Sequence, residues 1–577
     1  MGHEESKTPA RPSEKPIHAR KTGIAKKTSV AQKNALTRSA REKEPAAGKY
    51  FAYALLVLVI VFFAAIRFRL RTMPLERDEG EYAYAGQLML QGIPPYKLAY
   101  TMKLPGTEAA YAAIMAVFGQ TPAGIHLGLL LVNAATTLLV YFLARRFTGR
   151  LAGVVAGASY AALSTSFSVL GLAAHATHFV VLFAVAGLLL LLKALDTGRL
   201  WQFFASGVLL GMAFVMKQPG LAFAAFGGLY LVFREWKRPI EWKHLLSKAG
   251  CYAAGVALPF AVTCAILFAA GVFKNFWFWV FTYAGQYGSE HGFSLGVQLF
   301  MQTFPAVMGP CIGIWVLGIA GLSALWWDAE SRRHASFLGG LFLFSFLAVC
   351  PGFYFREHYF IMMLPAVAVL AGVAVHSTTQ WLARRGGSRL LSAIPALAFL
   401  AVFGYAVTQK SKFLFELDPQ QVFRKLYGEN PFLEAVEVAH YLDAHTSTSD
   451  QVAVLGSEPE IYFYSRRHSA TGFIYIYGLL EPQKYALEMQ KQMFEEIESA
   501  RPLYMVIVKD KLSWLPRPGS PELQSFSSWA NNYIGSRYEL VGIAERMGDH
   551  TDYHWDDDAR TYRPRSQNIV GIFKRKG

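Results

Sequence analysis

The residues best suited to chemistry come early in the chain. The stretch Leu75-Glu76-Arg77-Asp78-Glu79-Gly80-Glu81-Tyr82 puts an Asp-Glu pair just after the first long apolar run. A positioned carboxylate serves as a general base, a role worth typically ~10²–10⁴-fold in rate. Carboxylates are also favoured at a helix N-terminus by the macrodipole, so spacing alone leaves a capping role open for Asp78 and Glu79. Three cations stand at the edges of apolar runs: Lys103 before Leu104-Pro105-Gly106, Lys217 near the midpoint of the otherwise uncharged run from Arg199 to Arg234, and Arg356 in Phe355-Arg356-Glu357-His358-Tyr359-Phe360. Charge at a membrane edge is costly unless it snorkels or is used. Three cations on one side read as an anion site, with positioned donors worth roughly 3 kcal/mol each.

The elements that carry these residues are membrane helices. The chain has 577 residues, 53% hydrophobic and 17% charged, with a net charge of +16. That composition excludes a disordered chain and argues against a purely soluble one. Tyr50–Ile66 has no charged residue, and 151–192 has none either, long enough for two spans with His175 and His178 at the turn. With Ile125–Ala144, the two spans around Lys217, Ala249–Phe273, a region over Pro305–Trp327, Ala335–Phe355, Tyr359–Leu382 and Leu391–Thr408, about 11 transmembrane helices are expected.

Basic residues orient them. The first 49 residues hold 12 Lys or Arg against 5 Glu, which reads as a disordered cytoplasmic tail followed by an uncleaved anchor. Further basic clusters (Arg145, Arg146 and Arg150; Lys193 and Arg199; Arg234 to Lys248; Arg332 and Arg333; Arg384 to Arg389) recur on that same side in alternate loops. Arg67, Arg69, Arg71 and Arg77 break the pattern, by snorkelling or by meeting an anionic lipid. Basic residues spread over loops and a tail leave nucleic acid without support. The four cysteines, Cys251, Cys264, Cys311 and Cys350, lie in apolar runs and form neither a disulfide framework nor a metal-ligand spacing.

Tyr82, Ala85, Leu88 and Met89 recur at helical spacing opposite Glu81, Gln87 and Gln91, which predicts a short amphipathic helix lying in the membrane surface, stopped by Gly92 and Pro94-Pro95. The loop Gly271–Gly292 is rich in Trp and Tyr, as membrane interfaces are. From about residue 410 the pattern changes to short alternating helices and strands: helices over Pro431–Ala444, Pro482–Ala500 and Pro521–Ser536, and strands over Gln451–Gly456, Leu503–Lys509, Leu540–Ala544 and Asn568–Phe573. This predicts a small C-terminal extracytoplasmic α/β domain. It has no nucleotide-binding loop. The expected organisation is a basic tail over 1–49, a transmembrane domain over 50–409 and the α/β domain over 410–577.

The order of these motifs resembles a family. A membrane helix, Asp78-Glu79, Tyr82, a Gly-x-Pro-Pro-Tyr96 turn and Lys103-x-Pro-Gly are similar to the GT-C glycosyltransferases of the protein mannosyltransferase and aminoarabinose transferase kind. So are Gly211-Met-Ala-Phe-Val-Met-Lys217-Gln-Pro219 and Arg356-Glu357-His358-Tyr359-Phe360. The resemblance covers roughly residues 50–410. It implies a GT-C fold and transfer of a sugar from a polyprenyl-phosphate-linked donor to a lipid, glycan or protein acceptor on the outer face of the plasma (inner) membrane, probable inversion being read from a single base without a protein nucleophile. It also implies Asp78, with Glu79, as the catalytic carboxylates; Lys103, Lys217, Arg356 and His358 at the donor phosphate; and Tyr82, Tyr96, His175 and His178 as substrate-binding candidates. Relatives often carry an acid just before the first lysine, where this chain has Met102. No metal ligand set stands out, and a divalent cation is left open. The rival readings are a lipid or glycolipid transporter and a non-catalytic scaffold.

Overall fold

A computed structural model describes residues 1–3, 46–236, 241–548 and 550–577. Most of the basic tail, and Lys237 and Arg238 of one basic loop, lie outside the described residues. The chain divides into two compact units, Met1–Leu55 and Leu56–Gly577. The described part of the first consists of residues 1–3 and the opening turns of the helix Ala46–Arg69.

In the second unit the apolar runs are helices, because hydrocarbon offers backbone groups no other partner. Among the described residues, 7 helices are long and apolar enough to cross a membrane: Tyr50–Arg69, Pro122–Thr148, Ala176–Thr197, Trp242–Ala269, Phe293–Trp327, Glu357–Arg384 and Arg389–Thr408. Shorter apolar helices cover Gly106–Phe118, Leu200–Met216 and Ala335–Val349. The sequence expectation of about 11 also counted runs that form helices of 15 and 16 residues, Arg150–Ser164 and Leu221–Trp236, shorter than a typical span. Glu357–Arg384 is the central post, 94% buried over its apolar window. Small residues let neighbours reach it: a Cβ on Gly321 would sit 1.9 Å from the Leu370 carbonyl oxygen, and one on Gly372 2.3 Å from that of Ala152.

The arginines that break the charge pattern are structural. Helix Arg150–Ser164 ends with carbonyls that have no helical partner. Arg67 donates to Ser164 O at 2.7 Å and to Gly171 O at 3.0 Å, and Lys410 donates to Ala162 O at 2.6 Å. Arg69 donates to Leu414 O and Leu417 O, Arg71 to Phe68 O, and Arg77 to Ser457 O and Glu458. Arg67, Arg69 and Arg77 thus bind distant parts of the protein, whereas Arg71 bonds only within its own turn.

The C-terminal region holds one sheet of six strands: β1 (Gln451–Leu455), β2 (His468–Ser469), β3 (Tyr504–Lys509), β4 (Tyr538–Met547), β5 (His550–Trp555) and β6 (Ile569–Arg575). Their order is β2-β1-β3-β6-β4-β5. β1 runs parallel to β2 and β3; the other pairs are antiparallel. The anticipated strands and helices are present. β2, two residues long, and β5, whose Thr551, Tyr553 and Trp555 alternate with polar residues, were not anticipated.

The helix Arg77–Leu90 corrects the membrane-surface expectation. It is buried from Glu79 to Leu88, its polar face included, because the C-terminal region covers it. Tyr84 Oη accepts from Ser469 N at 2.8 Å, and Tyr464 Oη from Leu75 N at 2.8 Å. Gly80 is the contact point: a Cβ there would lie 2.7 Å from Glu460 Cβ and N. Gly80→Val is therefore expected to destabilise the fold by ~1–3 kcal/mol, as overpacking does. A lowered thermal midpoint with faster proteolysis of the C-terminal region checks this.

Candidate functional site

Capping is assigned by geometry. Glu76 is the N-cap of the helix Arg77–Leu90; its Oε1 accepts from Glu79 N at 3.0 Å, and Glu79 Oε2 accepts from Glu76 N at 3.5 Å. Glu76 and Glu79 together form the capping box, which leaves Asp78 free for another task. Asp78 Oδ1 accepts from Lys103 Nζ at 2.8 Å, and Glu81 Oε2 accepts from the same ammonium at 2.6 Å. Asp78 and Glu81 are three residues apart and share a helix face. Thr101 Oγ1 donates to the other oxygen of Glu81, which is fully buried. Burial pushes the Asp78 carboxyl up, but Lys103, with His358 and His175, outweighs it and holds the group well below the usual carboxylate range. Burial, reinforced by Asp78 and Glu79, pushes Glu76 well above that range.

Glu79 faces away from Lys103. Its Oε1 accepts from Ala174 N at 2.6 Å and meets His126 Nε2 at 3.0 Å. Tyr111 Oη donates to Ala174 O at 2.8 Å. These bonds fix the turn that presents His175, and both Glu79 oxygens are turned to protein partners rather than to Lys103. Tyr96 likewise positions: it is fully buried at φ 63° and donates to Lys103 O at 2.8 Å. Tyr82 is 1% exposed, with Lys103 Nζ 4.4 Å from its ring centroid.

The Lys103 and Lys217 loops are clamped together. Gln218 Nε2 donates to Met102 O and Thr107 Oγ1 to Met216 O, both at 2.8 Å, and a Cβ on Gly106 would meet Val215 O at 2.5 Å. Lys217 Nζ lies 4.2 Å from the Tyr359 ring centroid. Burial lowers its pKa to about 7; Asp78 opposes the shift, while Lys103 and Arg356 add to it. Arg356 donates to Tyr287 Oη at 3.2 Å, and Tyr287 stacks on Tyr354 at 4.7 Å. Phe353 and Phe355 hold left-handed backbone at φ 55° and 45°, strain of the kind that collects at functional sites.

His175 and His358 stack at 4.2 Å, and His358 Nε2 is 3.8 Å from Asp78 Oδ2. Ligand atoms of Asp78, His175 and His358 lie within 4.8 Å of one another. Both ring nitrogens of His175 are buried without a hydrogen-bond partner. This donor set of one carboxylate and two imidazoles fits a divalent cation such as Zn²⁺ or Mn²⁺. Burial pushes the His175 imidazole down to about 4, so it is neutral and able to ligate at ordinary pH. His178 is buried one turn further along the same helix, outside the triad.

Of the residues expected from sequence, the structure brings Asp78, Lys103, His175 and His358 to one centre, with Lys217 and Arg356 beside it. The sequence reading missed Glu81, although the three-residue spacing from Asp78 was a usable signal. It also missed Tyr475, whose hydroxyl donates to Arg77 O at 3.0 Å and whose ring centroid is 5.9 Å from Lys103 Nζ; nothing in the local sequence links residues so far apart.

Residues 103–283 match the family model described as dolichyl-phosphate-mannose-protein mannosyltransferase. Among solved structures, the chain is similar to ArnT from Cupriavidus metallidurans bound to undecaprenyl phosphate, at a TM-score of 0.59 and 15% identity, covering 92% of this chain and 98% of that one. It is also similar to the Archaeoglobus fulgidus oligosaccharyltransferase in the apo form, at a TM-score of 0.53 and 14% identity, covering 90% and 76%. No curated protein sequence matches. The fold is that of the GT-C membrane proteins. The family segment over 103–283 lies within this multi-pass helical fold.

Lys217 holds an anion only as its ammonium, which predominates below a pKa of about 7. Affinity for a dialkyl phosphate, whose own charge is fixed, is therefore expected to fall roughly tenfold per pH unit at most once pH rises above that value. Lys217→Met removes the slope. Titration calorimetry from pH 6 to 9 checks it.

Proposed function

We propose that the protein is an integral-membrane glycosyltransferase that moves a sugar from a polyprenyl-phosphate donor to a lipid, glycan or protein acceptor, with inversion at the sugar carbon. The observation that carries the reading is one ionised carboxylate, Asp78, bonded to Lys103 within a cluster that also holds Lys217 and Arg356. The fold shared with a protein bound to undecaprenyl phosphate supports the donor class. Under this reading the site end of the helices faces the outside of the inner membrane and the N-terminus lies in the cytoplasm. Its organisation is then a basic tail, a helical region to residue 409 and a C-terminal region from 410 that packs on it.

The acceptor hydroxyl must lose a proton, and the leaving phosphate must be neutralised. Paired with Lys103, Asp78 is a weak base. Donor phosphate draws the Lys103 ammonium toward itself, while Glu81 keeps hold of it; Asp78 is then free to take the acceptor proton. Lys217 and Arg356 stabilise the departing phosphate. His358 and His175, with Asp78 between them and Lys103, would hold a divalent cation. Such a cation, when bound, supplies Lewis-acid neutralisation of phosphate. A transporter reading has less support, since the ionisable cluster gathers at one end of the helices.

Asp78→Asn is expected to lower transfer from a panel of polyprenyl-phosphate sugars at least ~10²-fold, read by mass spectrometry of the product, while binding of the lipid phosphate persists. Full transfer by a folded Asp78→Asn protein would remove the reading. His175→Ala with His358→Ala is expected to lose any divalent metal that elemental analysis finds in the wild-type protein.

A further inference from the structure

Away from Lys103, a cleft of about 760 Å³ opens where the C-terminal region meets the ends of the membrane helices. That volume lies within the ~300–1,000 Å³ usual for ligand sites. Its walls are the helices Pro419–Tyr427 and Phe432–His445, strand β5, and the segment from Thr72 to Pro74.

The lining mixes apolar and polar side chains, Leu417, Leu433 and Val436 among the former, and its charges are close to balanced. Arg424 is neutralised by Glu434 at 2.5 Å, a carboxylate 2% exposed that also accepts from Thr551 Oγ1 at 2.5 Å. This bonded trio ties three walls together. Of the remaining charges, Lys425 is matched by Glu437, which lies 3.7 Å from His440. An anionic headgroup would find no net positive field here. Gln421, His440 and Thr551 offer donors and acceptors, and Tyr464 and Tyr553 offer half-buried aromatic faces. A few hydrogen-bonding groups set among apolar and aromatic side chains suit a ligand that carries both hydroxyls and apolar C–H faces.

Position ties the cleft to the reaction centre. Pro74 lines it and Asp78 follows four residues later, so their Cα atoms are at most about 15 Å apart. Tyr464 lines the cleft and holds Leu75 through its hydroxyl at 2.8 Å.

We infer that this cleft binds a neutral oligosaccharide, the non-reacting part of the acceptor. The acceptor role rests on the transferase reading; binding itself does not. The test uses the full chain in nanodiscs on an array of neutral and phosphorylated glycans. Gln420→Trp with His440→Trp fills the cleft from exposed positions, and Gln420→Ala with His440→Ala removes donors without adding bulk. At least one neutral oligosaccharide is expected to bind, both double variants to weaken it tenfold or more, and Lys491→Ala, an exposed change outside the cleft, to bind as the wild type does. Absence of neutral-glycan binding, equal binding by the filled variant, or binding confined to phosphorylated glycans would overturn the inference. Cleft-dependent binding in a protein that transfers no sugar would leave the glycan site standing and remove the transferase reading instead.

Discussion

The Lys103 ammonium, shared between Asp78 and Glu81, is the interaction on which the rest of the site depends. Four carboxylates, Glu76, Asp78, Glu79 and Glu81, fall within six residues of a largely buried helix start. Unrelieved, that density of negative charge would oppose folding, since buried charge is tolerated only when paired or neutralised. The relief is divided. Glu76 is pushed toward its protonated form, Glu79 is held by the Ala174 amide and His126, and Lys103 answers for the remaining two. One cation therefore permits a compact acidic centre and holds Asp78 ionised.

Backbone proximity delivers that cation. Lys103 sits on a loop held partly by its own residues and partly by the neighbouring one. The loop is gripped by Tyr96 through the Lys103 carbonyl, by Gln218 through the Met102 carbonyl, and by Gly106 pressed on the end of the helix Leu200–Met216. The same clamp fixes Lys217, so the two lysines move as one body. A glycine is required at Gly106 because any side chain would collide with the Val215 carbonyl.

Much of this was legible in sequence, for definite reasons. Apolar runs must become helices in lipid, and the Asp-Glu, Lys-x-Pro and Arg-x-His motifs stand at their ends. Covering of the amphipathic-looking helix Arg77–Leu90 was not legible. Its Glu81 and Gln87 look solvent-facing until Gly80 meets Glu460, 380 positions later in the chain. The cations Arg67 and Arg77 misled in the same way. Local pattern shows an unbalanced charge near a membrane edge, but its partners are carbonyls of Ser164, Gly171 and Ser457, which sequence does not place. The division of labour between Asp78 and Glu79 was likewise invisible, because it depends on which carboxylate the N-cap takes.

The covering region does more than shield. Tyr475 holds the Arg77 carbonyl, Tyr464 the Leu75 amide, and Glu458 the Arg77 guanidinium. Three bonds from one region thus brace the residues on either side of Glu76 and directly before Asp78. A helix N-terminus left alone frays, and fraying would release the capping box and with it the bond between Asp78 and Lys103. Gly472, close enough to Tyr100 that a Cβ would lie 2.3 Å from its ring, and Gly478, similarly placed against Tyr283, extend the brace to the loops flanking Lys103. The acidic centre is held from both sides, by membrane helices below and by the sheet region above, and neither alone supplies all the bonds that keep Asp78 in place.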